Sequence, residues 1–354
     1  MTQSTIERFC YLSIIQTALE EVQNQYSMKR TFLLLCSCMF FMFVDAQTKP
    51  QLIDLAKKDA EIVAEGKKLY YLQMATTLGL ESFMQLPNDV IKNALGYFAY
   101  QEGKFYKCVF FNHLGDAQIV STISFDSSFN KLRTAINTTL RPMTEAEKNL
   151  YFMRQRSLDE IKADTAFFKI YTNTSTIILP MIDNNERRVF VLTKSEDPAS
   201  VIFGNDYVLN FDRTNYMSAK KAIHNDIIII DCVAKNSEED EDLSAIMHKH
   251  EGESGEFITA TDVCALLMNE KKAGWLHHVV KSQNYVSVWF CDTDELETMP
   301  VKKWNKYNKA EEKDPVNKEE KEKKQRPVAA NSPYKREQQL WASEKEMITV
   351  PVMR

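Results

Sequence analysis

Glycine is scarce in this chain, with 9 among 354 residues. Loops that cradle phosphate need glycine where backbone N–H groups close on the anion. Neither G-x-G-x-x-G nor G-x-x-x-x-G-K-[ST] occurs, which excludes the common nucleotide-binding loops. The serine-hydrolase elbow G-x-S-x-G is absent too. There is no excess of positive charge: the net charge is -5, so no overall field draws the protein to nucleic acid. No internal repeat is present, which removes solenoids and propellers. Cysteine is sparse as well. Beyond residue 46 only Cys108, Cys232, Cys264 and Cys291 remain, far apart and without C-x-x-C spacing. A cysteine-based zinc site is therefore not expected, and a buried free thiol is the expectation for each.

What is present near the start reads as export. In "MKRTFLLLCSCMFFMFVDA", residues 28–46, Lys29 and Arg30 form a basic flank and Thr31 to Val44 an apolar run. Val44 and Ala46 stand at the −3 and −1 positions of a cut before Gln47, the grammar of a signal peptide. The run is about 14 residues, against the roughly 20 that a spanning helix needs. Residues 1–27 then read as an over-extended start. A lipoprotein box, Leu35-Cys36-Ser37-Cys38 with Cys38 lipidated, is the competing reading. The stretch "DAQT" resembles the cleavage sites of Bacteroidetes-type exported proteins. The expected location is periplasmic or secreted, with no transmembrane helix in the mature chain. In a eukaryotic secretory pathway Asn137 and Asn173 would be glycosylation sequons.

The remainder reads as an α+β protein, a mixed sheet with flanking helices. Residues 47–143 form an N-terminal α+β region. Leu52, Leu55, Ala56, Ile62, Val63 and Leu69 recur at helical spacing, and "GYFAYQEGKFYKCVFFN" is a hairpin turning at Gln101-Glu102-Gly103. Thr144 and Glu147 form a capping box that opens a helix and a second region, 144–307. There "STIILPMI", "RRVFVLT" and "SVIFGNDYVLNFD" read as strands and "SAKKAI" as a short helix. "DIIIIDCVA" lacks alternation, as a strand covered on both faces does. "TDVCALLMNEKKAG" is a helix stopping near Gly274, and "HHVVKSQNYVSVWFC" a hairpin turning at Ser282-Gln283-Asn284. Residues 308–354 are dense in mixed charge and read as a disordered tail.

The candidate chemistry lies in "MHKHEGESGEFITATDV", residues 247–263. In a strand, residues i and i+2 share a face, so His248 and His250 can aim at one ion. Asp262 follows a Thr-Ala-Thr helix start, where the helix dipole favours a carboxylate. Two histidines, one carboxylate and a water make a catalytic zinc arrangement. His224 reads as structural, and His277-His278 as strand residues.

His-x-His, a loop, then Thr259-x-x-Asp262 opening a helix resembles the JAMM/MPN metalloprotease motif. The resemblance covers roughly residues 185–293. It implies that His248, His250 and Asp262 hold Zn2+ and that Thr259 takes the place of the family serine. The family's glutamate lies upstream, where Glu196 is the first candidate for a general base and Glu186 the second. Two features depart from the pattern: Glu251 stands where the family has proline, and the loop to Asp262 is one residue longer.

Three readings follow. The chain is a zinc-dependent JAMM-like hydrolase of peptide or isopeptide bonds, or a non-catalytic exported binding protein on the same fold, or an α+β protein with an accidental motif. Its expected partner is a protein or peptide.

Overall fold

The computed structural model describes residues 54–112, 117–224, 226–232, 245–250 and 255–311. The signal segment, the lipoprotein box, the acidic stretch 236–243, Glu251 and the tail from residue 312 lie outside the described residues.

Helix α1 (Leu55–Phe83) begins the described chain, and a short α2 (Asn88–Lys92) follows it. Strands β1 (Gly96–Glu102), β2 (Phe105–Phe111) and β3 (Gln118–Phe125) form an antiparallel meander. Two small strands, β4 (Ala135–Asn137) and β5 (Arg141–Pro142), both pair with β3. Helix α3 (Glu145–Ala163) starts at the expected capping box of Thr144 and Glu147. The second sheet has the order β10-β9-β7-β6, from β6 (Thr174–Asp183), β7 (Glu186–Ser195), β9 (Tyr207–Phe211) and β10 (Met217–Ala222). Strands β8 (Ser200–Gly204) and β11 (Ile227–Asp231) pair with each other. The last sheet has the order β12-β13-β14-β15, from β12 (Ala245–Lys249), β13 (His277–Lys281), β14 (Tyr285–Phe290) and β15 (Glu295–Pro300). Helix α4 (Ala260–Ala273) crosses from β12 to its parallel neighbour β13. Helix α5 (Val301–Glu311) ends the described chain and carries helix four residues into the segment expected to be tail.

Several strands differ from the sequence reading, for physical reasons. "SVIFGNDYVLNFD" is two strands in two sheets, because Gly204 and Asn205 take positive φ, 96° and 54°, and turn the chain between β8 and β9. "SAKKAI" is strand β10. Alanine and lysine favour helix, but a run this short cannot nucleate one unaided, whereas pairing with β9 satisfies its backbone. Strand β11 pairs only with β8 among the described residues and is not covered on both faces; Ile229 is exposed.

The core draws on both sides of residues 143/144. Leu69, Leu72 and Phe83 of α1 pack in one cluster with Phe110 of β2, Leu179 and Phe190 of the second sheet and Cys264 of α4. Gly66 lets α1 approach α4 closely: a Cβ there would lie 2.6 Å from the Val263 side chain. Cys108, Cys264 and Cys291 are buried free thiols. No described helix is long and apolar enough to cross a membrane.

Candidate metal centre

Strand β12 alternates as the sequence requires. Ile246, His248 and His250 are buried, and Met247 and Lys249 are exposed. His248 and His250 thus face one side together. The backbone N–H of His250 donates to Lys281 O, 2.9 Å away, which holds the strand end against β13. Asp262 sits in the first turn of α4. Thr259 is the N-cap: its Oγ1 accepts from the Asp262 N–H, and Asp262 Oδ2 accepts from the Thr259 N–H at 2.8 Å. This capping box fixes the carboxylate and leaves Asp262 Oδ1 buried without a hydrogen-bond partner.

A third histidine arrives from elsewhere. His224 follows β10, and its loop is tied to the corner after β8. The N–H groups of Ile223 and Asn205 donate to Asp206 O and Asp226 O, at 2.7 and 2.9 Å. His224 Nε2 then lies 3.1 Å from His250 Nε2 and 3.5 Å from Asp262 Oδ2. His248 Nε2 is 3.0 Å from His250 Nε2 and 3.9 Å from Asp262 Oδ1. His250 Nε2 is 3.4 Å from Asp262 Oδ2. His250 Nε2 thus stands within 3.4 Å of a nitrogen or oxygen of each of His224, His248 and Asp262.

Each group has an outer partner. His250 Nδ1 donates to Phe257 O at 2.8 Å, His248 Nδ1 meets His278 Nε2 at 2.8 Å, and Asp206 Oδ2 stands 3.8 Å from His224 Nδ1. The last distance is an ion-pair spacing and no hydrogen bond; His224 Nδ1 has no hydrogen-bond partner. Such outer contacts orient metal-ligating imidazoles.

The hydrogen positions argue for a cation. Phe257 O only accepts, so His250 Nδ1 carries a hydrogen and His250 Nε2 has a single lone pair. Two other ring nitrogens compete for that lone pair at 3.0 and 3.1 Å. An ion among them would take all the lone pairs at once. A tetrahedral sphere with bonds of roughly 2.0–2.2 Å has edges of about 3.4 Å. Among His224, His250 and Asp262 the separations are 3.1, 3.5 and 3.4 Å, close to that value. One ligand atom each from His224, His250 and Asp262 lies within 4.8 Å of the others, so this group could hold a metal ion.

The electrostatics agree. Burial presses His224 downward, but the Asp262 and Asp206 carboxylates outweigh it and raise its pKa to about 10. Burial lowers His248 to about 4 and His278 to about 3. Burial alone would raise Asp262, yet His224, His250 and His248 hold its pKa well below the usual carboxylate range. Without an ion, one protonated imidazole serves as the cation between two aspartates.

Of the sequence candidates, His248, His250 and Asp262 come together, with Thr259 as their cap. Glu196 lies on the exposed turn after β7, and Glu186 is exposed and paired with Arg188 at 3.4 Å. The carboxylates that reach the histidines among the described residues are Asp206 and Asp262. Sequence reasoning missed His224, Asp206 and His278. None has a local motif; each is delivered by a turn or a strand pairing.

Fold and site together define a mixed α+β protein with a buried His224-His250-Asp262 group that could hold a metal ion. Comparison with known protein families, curated proteins and solved structures finds no match to this chain.

Proposed function

We propose that this chain is an exported, non-catalytic zinc-binding protein. The observation that carries the reading is closure of the cluster. The side chains of His224, His248, His250 and Asp262 are only 6%, 2%, 1% and 1% exposed. The group that could hold the ion, His224, His250 and Asp262, is buried, and His248 packs against His250 beside it, which leaves water little room at the ion. Hydrolysis also needs a base within reach, and neither Glu196 nor Glu186 stands there. Zinc suits imidazole and carboxylate ligands at the spacing of His224, His250 and Asp262. Export rests on the basic flank, apolar run and Val44-Asp45-Ala46 end of residues 28–46.

A JAMM-like hydrolase of peptide or isopeptide bonds is the second reading. What favours it is the order of elements: a strand ending in His-x-His, then a helix capped by Thr259 and Asp262, then a strand pair.

Elemental analysis of purified protein tests the first reading, with wild type beside His224→Ala and His250→Ala. One equivalent of zinc in wild type and a sharp fall in both variants is expected. Protein that carries no metal after zinc loading sinks the reading. Sequencing the N-terminus of protein from its native host tests export, and Gln47 should come first.

A further inference from the structure

Beside the cluster, at the end of β12 and β13, is a pocket of about 420 Å³. That lies within the 300–1,000 Å³ range of sites that take small molecules or the end of a peptide. It is lined by Lys249, His250, Gly255, Glu256, Lys281 and Ser282, with Gln283 at the rim. Its charge is uneven in use.

Lys249 and Lys281 are register partners across the parallel pair of β12 and β13. Adjacent strands lie roughly 4.8 Å apart, so the two stems leave the sheet side by side. Like charges at that spacing repel, and a sheet does not favour such a pair unaided. Among the described residues neither lysine makes an ion pair. The one carboxylate among the described lining residues, Glu256, is already engaged. Glu256 Oε2 accepts from Ser282 Oγ at 2.9 Å and from the Asn284 N–H at 3.2 Å, and Oε1 accepts from Asn284 Nδ2 at 2.8 Å. Glu256 thus braces the turn between β13 and β14. Among the described residues the pocket is lined by two ammonium groups and one carboxylate, Glu256, which is engaged elsewhere.

We propose that this pocket binds an anionic group, a carboxylate or a phosphate, held between Lys249 and Lys281. The proposal gives the exported binding protein a ligand class, an acidic one, and to that extent it rests on that reading. The lysine pair stands apart from the metal ligands in chemistry, so the two readings can fail separately. A carboxylate would come from an acidic side chain or peptide end, and a phosphate from a phosphorylated ligand.

The test is titration calorimetry of the full chain with inorganic phosphate and with succinate, at low salt. Metal content is measured on the same preparations. Wild type should bind at least one of the two saturably, and a preference for either supports an anion site and identifies its source. Lys249→Ala/Lys281→Ala should weaken that binding at least tenfold while leaving metal content unchanged. Lys281→Arg alone should retain most of it. Both lysines are at least partly solvent-exposed, and circular dichroism will check that the double variant folds. No saturable binding of either anion by wild type overturns the proposal. So does equal binding by the double variant. Binding that survives lysine removal but is abolished by EDTA assigns the anion to the metal and overturns it as well. Metal-free protein that still binds phosphate through the lysines upholds this site while removing the zinc reading.

Discussion

At His250 a single ring lone pair faces two imidazole nitrogens, and that conflict is where the metal argument is strongest. The residues around it differ in how readable they were. His248 and His250 were legible because strand alternation forces i and i+2 onto one face. Asp262 was legible because Thr-x-x-Asp marks a helix start. Asp206 and His224 were not, since their meeting depends on a backbone corner between two sheets. Asp206 is the residue whose role is easiest to separate from direct ligation. Asp206→Ala should lower zinc affinity by about 10–100-fold without abolishing the site. Competition with a chromogenic chelator measures this, and unchanged affinity would remove Asp206 from the metal centre. A second residue-scale network lies far from the site. Glu147 is fully buried and takes a two-pronged contact from Arg141, both at 2.7 Å, with the Tyr100 hydroxyl at 2.8 Å. Burial opposes its charge, but Arg141, the Thr144 N–H and Tyr100 outweigh it and lower its pKa from 4.5 to about 2. A depressed carboxylate stabilises the fold above its unfolded pKa and loses that contribution as pH falls toward the folded one. The contribution is on the order of 3 kcal/mol at neutral pH, lost between about pH 4.5 and 2. Urea unfolding at pH 7 and pH 3 should show Glu147→Gln much less stable than wild type at pH 7 and closer to it at pH 3.

At the scale of elements, the corner between β8 and β9 decides whether the site forms. The sequence reading passed over it by taking "SVIFGNDYVLNF" as one apolar run, although Gly204-Asn205-Asp206 in its middle is a turn-type triplet. What breaks the run is Gly204, at φ 96°, where a Cβ would lie 2.1 Å from Asp226 O. The same corner places Asn205 and Asp206 against the His224 loop through three backbone hydrogen bonds. Gly204→Ala therefore meets both an unfavourable backbone region and a carbonyl that cannot step aside. The expected cost is on the order of 3 kcal/mol. Thermal melting would register it, and zinc content should fall alongside because Asp206 and His224 shift together. A variant with wild-type stability and metal content would show that the corner is not strained as described. The hairpin of β13 and β14, by contrast, was readable to within a residue. Its apolar strands flank a short polar turn, and no distant contact is needed to specify it.

For the whole molecule, the cluster joins chain segments that the sequence holds far apart. His224 comes from the loop after β10, His248 and His250 from the end of β12, and Asp262 from the start of α4. The last two segments are linked by residues 251–259 and the first is separated from β12 by residues 225–244. An ion bound by His224, His250 and Asp262 would cross-link these segments in the folded state only. No two of these three are near neighbours along the unfolded chain, which therefore retains little affinity. Metal should then stabilise by mass action, about 2.7 kcal/mol when free zinc is 100 times its dissociation constant. Removing it should also expose the conflict at His250, where His224 must hold a proton between Asp206 and Asp262 to keep the buried carboxylates balanced. The chelated protein should accordingly melt several degrees lower than the zinc-loaded protein and recover fully when zinc is returned. His248→Ala/His250→Ala should melt at one temperature with or without zinc. A wild-type melting point that ignores both EDTA and added zinc would mean that the four groups form a self-contained polar network, and that the centre holds no metal.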